Sequence, residues 1–461
     1  MLAVRRRVRE RDESPPVNLK IVILDKLPLE VLDLIFKHAS DDKPTILACS
    51  LASRHWRDMS LPHLFFSLKV ERTFDYDDFS DFLAEHPNLA NYVRRLVLGY
   101  LPKHFSGLLH TTIRPTLTPA KLSKLAAKLP RLQALVLRGV WLAEAQEVDS
   151  TSLPSITPRG LKELIIDGCG SGVRRDLPLP LRTLFRILLA CPANAVTLRS
   201  LFVANCDALA LVQFDTQPSS ESSASHQPTT KLDVSSLEVK SLSCDDWPRH
   251  RDAWELEMRL YDAFRHILAP QCLRSLRIHP TVHGHAPDAL RALGALIEHV
   301  GGEALRHLEL PFSIRANTAV LAESRPDYWR ILHLDKCRNL ESIHITMTFP
   351  WPGTHSAKQP PQVPYTTVCI ALFAQLPSTL RIATLELRSP DEARILDAEW
   401  LNLRELDEAL LAHFPSLEMV HMILHGQVRW VECTRLIRNA MAKCRQRGVL
   451  YVGSTSDEST F

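Results

Sequence analysis

The chain has 461 residues, 45% of them hydrophobic, with 55 basic and 52 acidic residues and a formal net charge of +3. The apolar fraction predicts a large buried core, and the length allows two or three ordinary domains or one small domain followed by an elongated array. The near-balance of charge excludes a general bias toward nucleic acids. No stretch approaches the roughly 18 apolar residues that cross a bilayer.

Residues 1–20 are polar and carry the basic cluster Arg5, Arg6 and Arg7. The start of the sequence lacks the apolar segment of a secretory signal. Acidic residues follow the basic cluster closely, so a solvated disordered tail is favoured over a nuclear import signal. The ten cysteines are scattered without a C-x-x-C pair, which predicts reduced thiols in a cytoplasmic and/or nuclear protein.

Residues 24–66 are predicted to form three short amphipathic helices. The first begins near Pro28, whose missing N–H suits a helix start, and it has Glu30 in its first turn and Lys37 in its last. A second helix follows two aspartates, and Ser53 is placed to cap a third. Three short helices in about 40 residues cannot bury their own apolar faces well, so the segment needs a partner or the following domain.

This segment resembles the F-box, in the form found in fungal F-box substrate receptors. The likeness rests on Leu27-Pro28-x-Glu30, on Ile35-Phe36, and on residues 47–56 followed by 63–66. The resemblance implies that the segment binds the small Skp adaptor and, through it, a cullin scaffold. The docking residues that it implies are Leu27, Pro28, Val31, Leu32, Ile35, Leu47 and Trp56.

Ala52, Trp56 and Phe36 depart from a simple docking role. Ala52 stands where many members of the family carry valine, and this departure predicts weaker affinity for the adaptor. Trp56 and Phe36 have an alternative role, in which they pack the helical segment onto the rest of the chain.

From about residue 85 to residue 452 the sequence repeats the phrase apolar-x-x-apolar-x-apolar. Its steps of about 29 to 42 residues exceed the roughly 20–29 of ordinary leucine-rich repeats. The copies begin at Val93, Leu132, Leu161, Leu198, Val234, Leu273, Leu305, Leu340, Ile382 and Leu417. Helical patterns lie between them, at residues 118–129, 181–189, 254–268, 289–300, 368–376 and 403–414.

Strands and helices that alternate in this way predict an α/β fold, a curved solenoid with parallel strands and outer helices. The region resembles an irregular leucine-rich-repeat protein. Cys169 and Cys206 occupy the repeat position where Asn or Cys bonds the turning backbone. A doubly wound sheet is a weaker alternative, because the sequence has 15 glycines and no G-x-G-x-x-G. Disordered inserts are predicted near 215–231 and 350–364, and a polar tail at 453–461.

In each repeat strand the residue between the last two apolar positions points to the concave face. The early residues of this kind are apolar, and contiguous exposed apolar side chains usually mark contact sites. An inserted loop or the helical segment covering them is the alternative. The predicted partner-binding residues are Val97, Val136, Ile165 and Phe202. The later residues are polar or charged, namely Glu238, Arg277, Glu309, His344, Glu386 and His421.

The sequence contains no G-x-S-x-G, H-E-x-x-H or Walker motif, and nothing couples Cys49, Cys337 or Cys369 to a base. A histidine cluster at residues 279–285 lacks the paired cysteines or carboxylates of a zinc site, so neither a metal nor another cofactor is predicted. Basic residues of the repeats alternate with acids, which does not support a nucleic-acid groove.

The leading hypothesis is therefore a non-enzymatic substrate-recognition subunit of a Skp–cullin–F-box ubiquitin ligase, with the helical segment on the adaptor and the repeats on a target protein of unknown identity. The second hypothesis is a leucine-rich-repeat scaffold that is not linked to ubiquitination. No nucleic-acid or membrane partner is predicted.

Overall fold

The computed structural model describes residues 27–40, 42–70, 76–99, 116–143, 160–171, 179–204, 231–240, 243–244, 253–278, 287–313, 326–348, 365–388, 401–425 and 430–454. The chain divides into two compact units, residues 1–66 and residues 67–461. Among the described helices, none combines the length and apolar content needed to cross a membrane. The predicted inserts and both predicted tails fall almost entirely outside the described residues.

The described part of the first unit, from residue 27 onward, forms three helices: α1 (Leu29–His38), α2 (Lys43–Ala52) and α3 (Arg54–Leu64). Their starts follow from local chemistry. The Asp42 side chain accepts a hydrogen bond from the Thr45 N–H at 3.2 Å, and the Ser53 hydroxyl accepts one from the Trp56 N–H at 3.2 Å. The predicted Ser53 cap is confirmed, and Pro28 lies one residue before α1.

The interior of the first unit is small. Leu32, Phe36 and Ile46 are buried, and the Phe36 ring meets the Trp56 ring edge-on with centroids 5.6 Å apart. On its other side Phe36 stacks on His63, whose Nε2 lies 2.8 Å from a carboxylate oxygen of Asp33. The predicted apolar stripe of α1 therefore divides into a buried half and an exposed half.

The second unit is built on parallel strands, which the structure places at β1 (Ser67–Val70), β2 (Arg95–Gly99), β3 (Thr116–Leu117), β4 (Ala134–Arg138), β5 (Trp141–Leu142), β6 (Leu161–Asp167), β7 (Gly170–Ser171), β8 (Leu179–Pro180), β9 (Ala193–Arg199), β10 (Phe202–Ala204), β11 (Ser236–Lys240), β12 (Ser243–Cys244), β13 (Ser275–Ile278), β14 (His307–Ser313), β15 (Ser342–Thr348), β16 (Ile382–Arg388), β17 (Met419–His425) and β18 (Leu450–Ser454).

Twelve of these described strands form one parallel sheet in the order β1-β2-β4-β6-β9-β11-β13-β14-β15-β16-β17-β18, so the strand order follows the chain. Two three-stranded parallel sheets, β3-β5-β7 and β8-β10-β12, form from the short strands. A long parallel sheet whose strands alternate with helices is the predicted α/β repeat architecture.

The helices of the second unit follow the strands that they cover. They span Tyr76–Glu85, Pro87–Ala90, Pro119–Ala127, Leu181–Ala190, Ala253–Ile267, Pro287–Val300, Tyr365–Phe373, Leu403–His413, Trp430–Ala440 and Ala442–Gln446, with 3-10 helices at Pro326–Leu332 and Leu334–Lys336. Six of them coincide closely with the helical patterns of the sequence. The predicted Thr118 cap of helix Pro119–Ala127 is confirmed, because the Thr118 hydroxyl accepts a hydrogen bond from the Lys121 N–H at 3.2 Å.

Alternate residues of each strand, such as Leu96 and Leu98 on β2, join the buried helix residues in one continuous apolar core. The helices pack closely in places. A Cβ added to Gly294 would lie 1.8 Å from the backbone oxygen of Ile331, so helix Pro287–Val300 meets the neighbouring 3-10 helix backbone to backbone. The Cys169 thiol lies 3.5 Å from the Leu137 carbonyl oxygen, which confirms its predicted bond to the turning backbone.

The register of the sheet corrects two sequence assignments. Ile165 on β6 pairs with Thr197 on β9, and Thr197 pairs with Glu238, so Thr197 occupies the position predicted for Phe202. Phe202 lies instead on β10 in a separate sheet, because the backbone turns at Ser200, whose φ is 50°.

A second shift affects the later repeats. His344 pairs with Thr384, two residues before Glu386. Because side chains alternate along a strand, Glu386 keeps the predicted face and lies one row further along it.

Candidate functional site

The first unit exposes an unusual number of large apolar side chains. Of the eleven described large hydrophobic residues that are exposed, seven belong to this unit of 66 residues. Six of them lie on α1 and α2, and the seventh, Phe66, follows α3. We call this set the apolar face: Leu29, Val31, Leu34, Ile35, Leu47, Leu51 and Phe66.

The residues implied by the F-box resemblance do not all lie on this face. Val31, Ile35 and Leu47 are exposed members of it, Pro28 is exposed and Leu27 is half-buried. Leu32 is 2% exposed. Its predicted contact with an adaptor is therefore corrected, because its side chain fills the interior of the unit.

Trp56 is half-buried and packs on Phe36 within the first unit. This contact gives Trp56 a packing role inside the helical unit. The alternative role, in which Trp56 and Phe36 pack this unit onto the rest of the chain, stays a prediction.

The predicted apolar half of the repeat surface is not open. Val136 is fully buried, Ile165 is 9% exposed and Val97 is half-buried. Phe202 lies in another sheet, and its side chain is outside the described part of the structure. Val136 and Ile165 are buried, so the described residues of this set form no continuous exposed patch. Cover by an inserted loop or by the helical segment stays a prediction.

The same face of the large sheet carries a charged network on its later strands. Around the inward-lying carboxylate of Glu238 lie Lys240 Nζ at 2.6 Å and Arg199 Nη2 at 3.5 Å. Burial acts to raise the pKa of Glu238, but the hydrogen bond from Lys240 and the charges of Lys240, Arg199 and Arg277 outweigh it and lower the pKa below its ordinary value. Glu238 is therefore ionised at neutral pH.

A second carboxylate, Glu386 on β16, is enclosed more completely. Its Oε2 accepts hydrogen bonds from the Thr346 hydroxyl and from His344 Nε2, each at 2.9 Å. Its Oε1 accepts from Arg388 Nε at 2.7 Å and also contacts His425 Nε2. Burial opposes ionisation, but these hydrogen bonds and the charge of Arg388 hold the pKa of Glu386 well below its ordinary value.

Glu309 joins the two clusters. Its Oε2 lies 3.2 Å from Arg277 Nε and 3.7 Å from His344 Nδ1. The charged network thus extends across neighbouring strands of the large sheet, from β9 to β16. Its members are Arg199, Glu238, Arg277, Glu309, His344 and Glu386. The polar character of this half of the face follows from the sequence, whereas the pairing of its charges depends on the register of the strands. The alternation of acid and base at register positions was the available signal.

The cysteines and histidines singled out for chemistry give no reactive site in the described residues. Cys337 and Cys369 are buried, and burial raises the pKa of each thiol to about 12, so neither is a thiolate at neutral pH. Cys49 is half-buried on α2. The histidine cluster at residues 279–285 lies outside the described residues. No group of three or more potential metal ligands is found in the part of the chain that is described.

Comparisons with known proteins add little. No protein-family model matches the chain, and no curated protein is similar to it. Among solved structures, the chain matches the crystal structure of the Rad7 and Elc1 complex in yeast over 94% of both chains, with 14% sequence identity and a TM-score of 0.34. A likeness at this level carries no conclusion about function.

Proposed function

We propose that the chain is the substrate-recognition subunit of a Skp–cullin–F-box ubiquitin ligase. In this proposal the apolar face of the first unit binds a Skp adaptor, and the repeat unit binds a target protein. The protein contributes no catalytic residue. It acts by proximity, because holding a target near the ubiquitin-charged enzyme raises the effective concentration of the target's lysines. The proposal places the protein in the cytoplasm or nucleus.

One observation carries the proposal: exposed apolar side chains coincide with F-box-like positions on α1 and α2. Ile35 is 46% exposed and Leu47 is 49% exposed. Neither is needed for the interior of the helical unit, which Leu32, Phe36 and Ile46 fill. Exposed apolar side chains concentrated in one small unit are typical of a protein-docking site.

The test is capture of the purified Skp adaptor by the full-length protein. Wild-type protein is expected to bind the adaptor, and the double variant Ile35→Asp, Leu47→Asp is expected to lose at least about tenfold in affinity, because two charges would be buried in an apolar interface. Leu189→Asp is the matched control, since Leu189 is 45% exposed on a repeat helix. It should bind as wild type does.

Two results would contradict the proposal. One is a wild-type protein that captures no adaptor while its circular dichroism spectrum is that of a folded chain. The other is a double variant that binds as tightly as wild type. Either result would favour the second hypothesis, a repeat scaffold that is not linked to ubiquitination.

A further inference from the structure

In the charged network on the large sheet, the negatively charged side chains are more buried than the positively charged ones. The carboxylates Asp167, Glu238, Glu309 and Glu386 have side chains that are 5 to 19% exposed. The cations that pair with them are 34 to 51% exposed, and they are Arg138, Arg199, Lys240, Arg277 and Arg388. The formal charges nearly cancel, but the groups that reach solvent are mainly positive. We call these five cations the cationic row.

The buried carboxylates lie beside the cations without using all of the cations' N–H donors. The closest contact of Arg138 with Asp167 is through Nε at 3.9 Å, and that of Arg277 with Glu309 is through Nε at 3.2 Å. A guanidinium has five N–H donors, so the terminal nitrogens of both arginines lie beyond these contacts. A cation attracted by a neighbouring carboxylate samples fewer positions than a free one, so it loses less side-chain entropy when an anion binds.

From these observations we propose that the cationic row binds an extended acidic segment of a partner protein. In the proposed ligase, which this inference presupposes for its biological setting, that partner is the target. Charge complementarity identifies the class of ligand: carboxylates spaced along a peptide can each meet one exposed cation.

The register of the sheet sets the expected spacing of the acidic residues. Arg138 on β4 pairs with Asp167 on β6, and Asp167 pairs with Arg199 on β9. Strands lie about 4.8 Å apart, so the two arginines originate about 10 Å apart. A polyproline-II-like peptide repeats every three residues, or about 9.3 Å. Acidic residues at every third position therefore match these two cations.

The intervening carboxylate argues against a nucleic acid as the ligand. Asp167, at 19% exposure, lies on the strand between those of Arg138 and Arg199 and repels a continuous string of phosphates. Carboxylates spaced along a peptide can contact Arg138 and Arg199 on either side of Asp167. A single strand of RNA is therefore expected to bind more weakly than a peptide with spaced acidic residues.

The test is fluorescence anisotropy with the full-length protein and three labelled probes. The first probe is a 15-residue peptide with glutamate at every third position, the second replaces each glutamate by glutamine, and the third is a 15-nucleotide RNA. Only the glutamate peptide is expected to bind well. The variant Arg138→Gln, Arg199→Gln is expected to weaken its binding about tenfold.

The matched control is Arg306→Gln, Arg381→Gln. These arginines pair with Glu341 and Glu418 beside the starts of their strands, outside the cationic row, and are similarly exposed. This variant should bind the glutamate peptide as wild type does, and thermal melts should show that both variants are folded.

Equal binding of the glutamate and glutamine peptides, tighter binding of RNA, or unchanged binding by Arg138→Gln, Arg199→Gln would overturn the inference. No adaptor is present in this experiment. Failure of adaptor capture and failure of acidic-peptide binding are therefore observed separately.

Discussion

The two units of the chain treat apolar side chains in opposite ways. In the helical unit Leu51 is 80% exposed and Ile35 is 46% exposed, although both lie on well-formed helices. In the repeat unit Phe373 and Phe414 are fully buried, with ring centroids 6.0 Å apart in an edge-to-face arrangement. The repeat unit exposes charged groups on its sheet face instead.

The difference follows from size. Three helices of 10 or 11 residues have too little interior to enclose every apolar side chain that they carry. A stacked array encloses the apolar face of each repeat with the next one. Apolar residues on the helical unit are thus available for a partner, whereas on the repeat unit polar groups are the available chemistry.

The largest expected effect contrasts the two kinds of apolar residue. Phe414→Ala is expected to lower the free energy of unfolding by about 3–5 kcal/mol, because it removes a buried ring and leaves a cavity. Leu51→Ala is expected to change it by less than about 0.5 kcal/mol, since the side chain is mostly in water. Urea denaturation followed by circular dichroism measures both. A cost for Leu51→Ala that approached the cost for Phe414→Ala would mean that the helical unit has no spare apolar surface.

A smaller effect is expected at the enclosed carboxylate of the charged face. Glu386→Gln should cost about 1–3 kcal/mol near neutral pH, because the surrounding donors lose an anionic partner. The pKa of Glu386 is lowered in the folded chain, so its contribution to stability is complete above its ordinary pKa of 4.5 and is lost as the pH falls below that value.

Denaturation midpoints from pH 3 to pH 7 would therefore converge for wild type and Glu386→Gln on the acidic side. A constant difference between the two proteins over this range would show that the charge of Glu386 is not what stabilises the network.

The smallest effect is expected for an exposed ion pair of the repeat unit. Arg306 Nη1 lies 2.7 Å from Glu341 Oε1, but both side chains are well exposed. Solvent and salt screen such a pair, so Arg306→Ala should change stability by no more than about 1 kcal/mol. Its effect in 0.5 M salt should be smaller still. A loss as large as that of Glu386→Gln would mean that exposure does not distinguish the two sites.

Much of the repeat fold could be predicted from the sequence, because each strand has a local signature. Leu135 and Leu137 alternate as expected for β4, and the Thr118-Pro119 cap marks a helix start. The assignment of Phe202 was wrong because its phrase straddles a turn. Leu198 lies near the end of one strand, which stops at Arg199, and Phe202 begins another. Ser200 between them has a positive φ, and no apolar pattern predicts that turn.

The candidate site was less predictable from sequence. Leu32 is buried and its neighbour Val31 is exposed. The apolar stripe of α1 could not distinguish them, because both residues lie on the apolar side of the helix. Only the positions of α2 and α3 separate them. The pairing of Glu386 with His344 and His425 depends in the same way on register between strands that are far apart in the chain.

The order of the large sheet has a consequence for damage to the protein. Each strand bonds only to the strands of the neighbouring repeats, so no contact of the sheet joins its first and last members directly. A substitution that unfolds an end repeat is expected to shorten the array and to leave the other repeats folded. A substitution that unfolds the repeat around Gly294, in the middle of the array, is expected to divide the array into two shorter ones, each with a newly exposed apolar end.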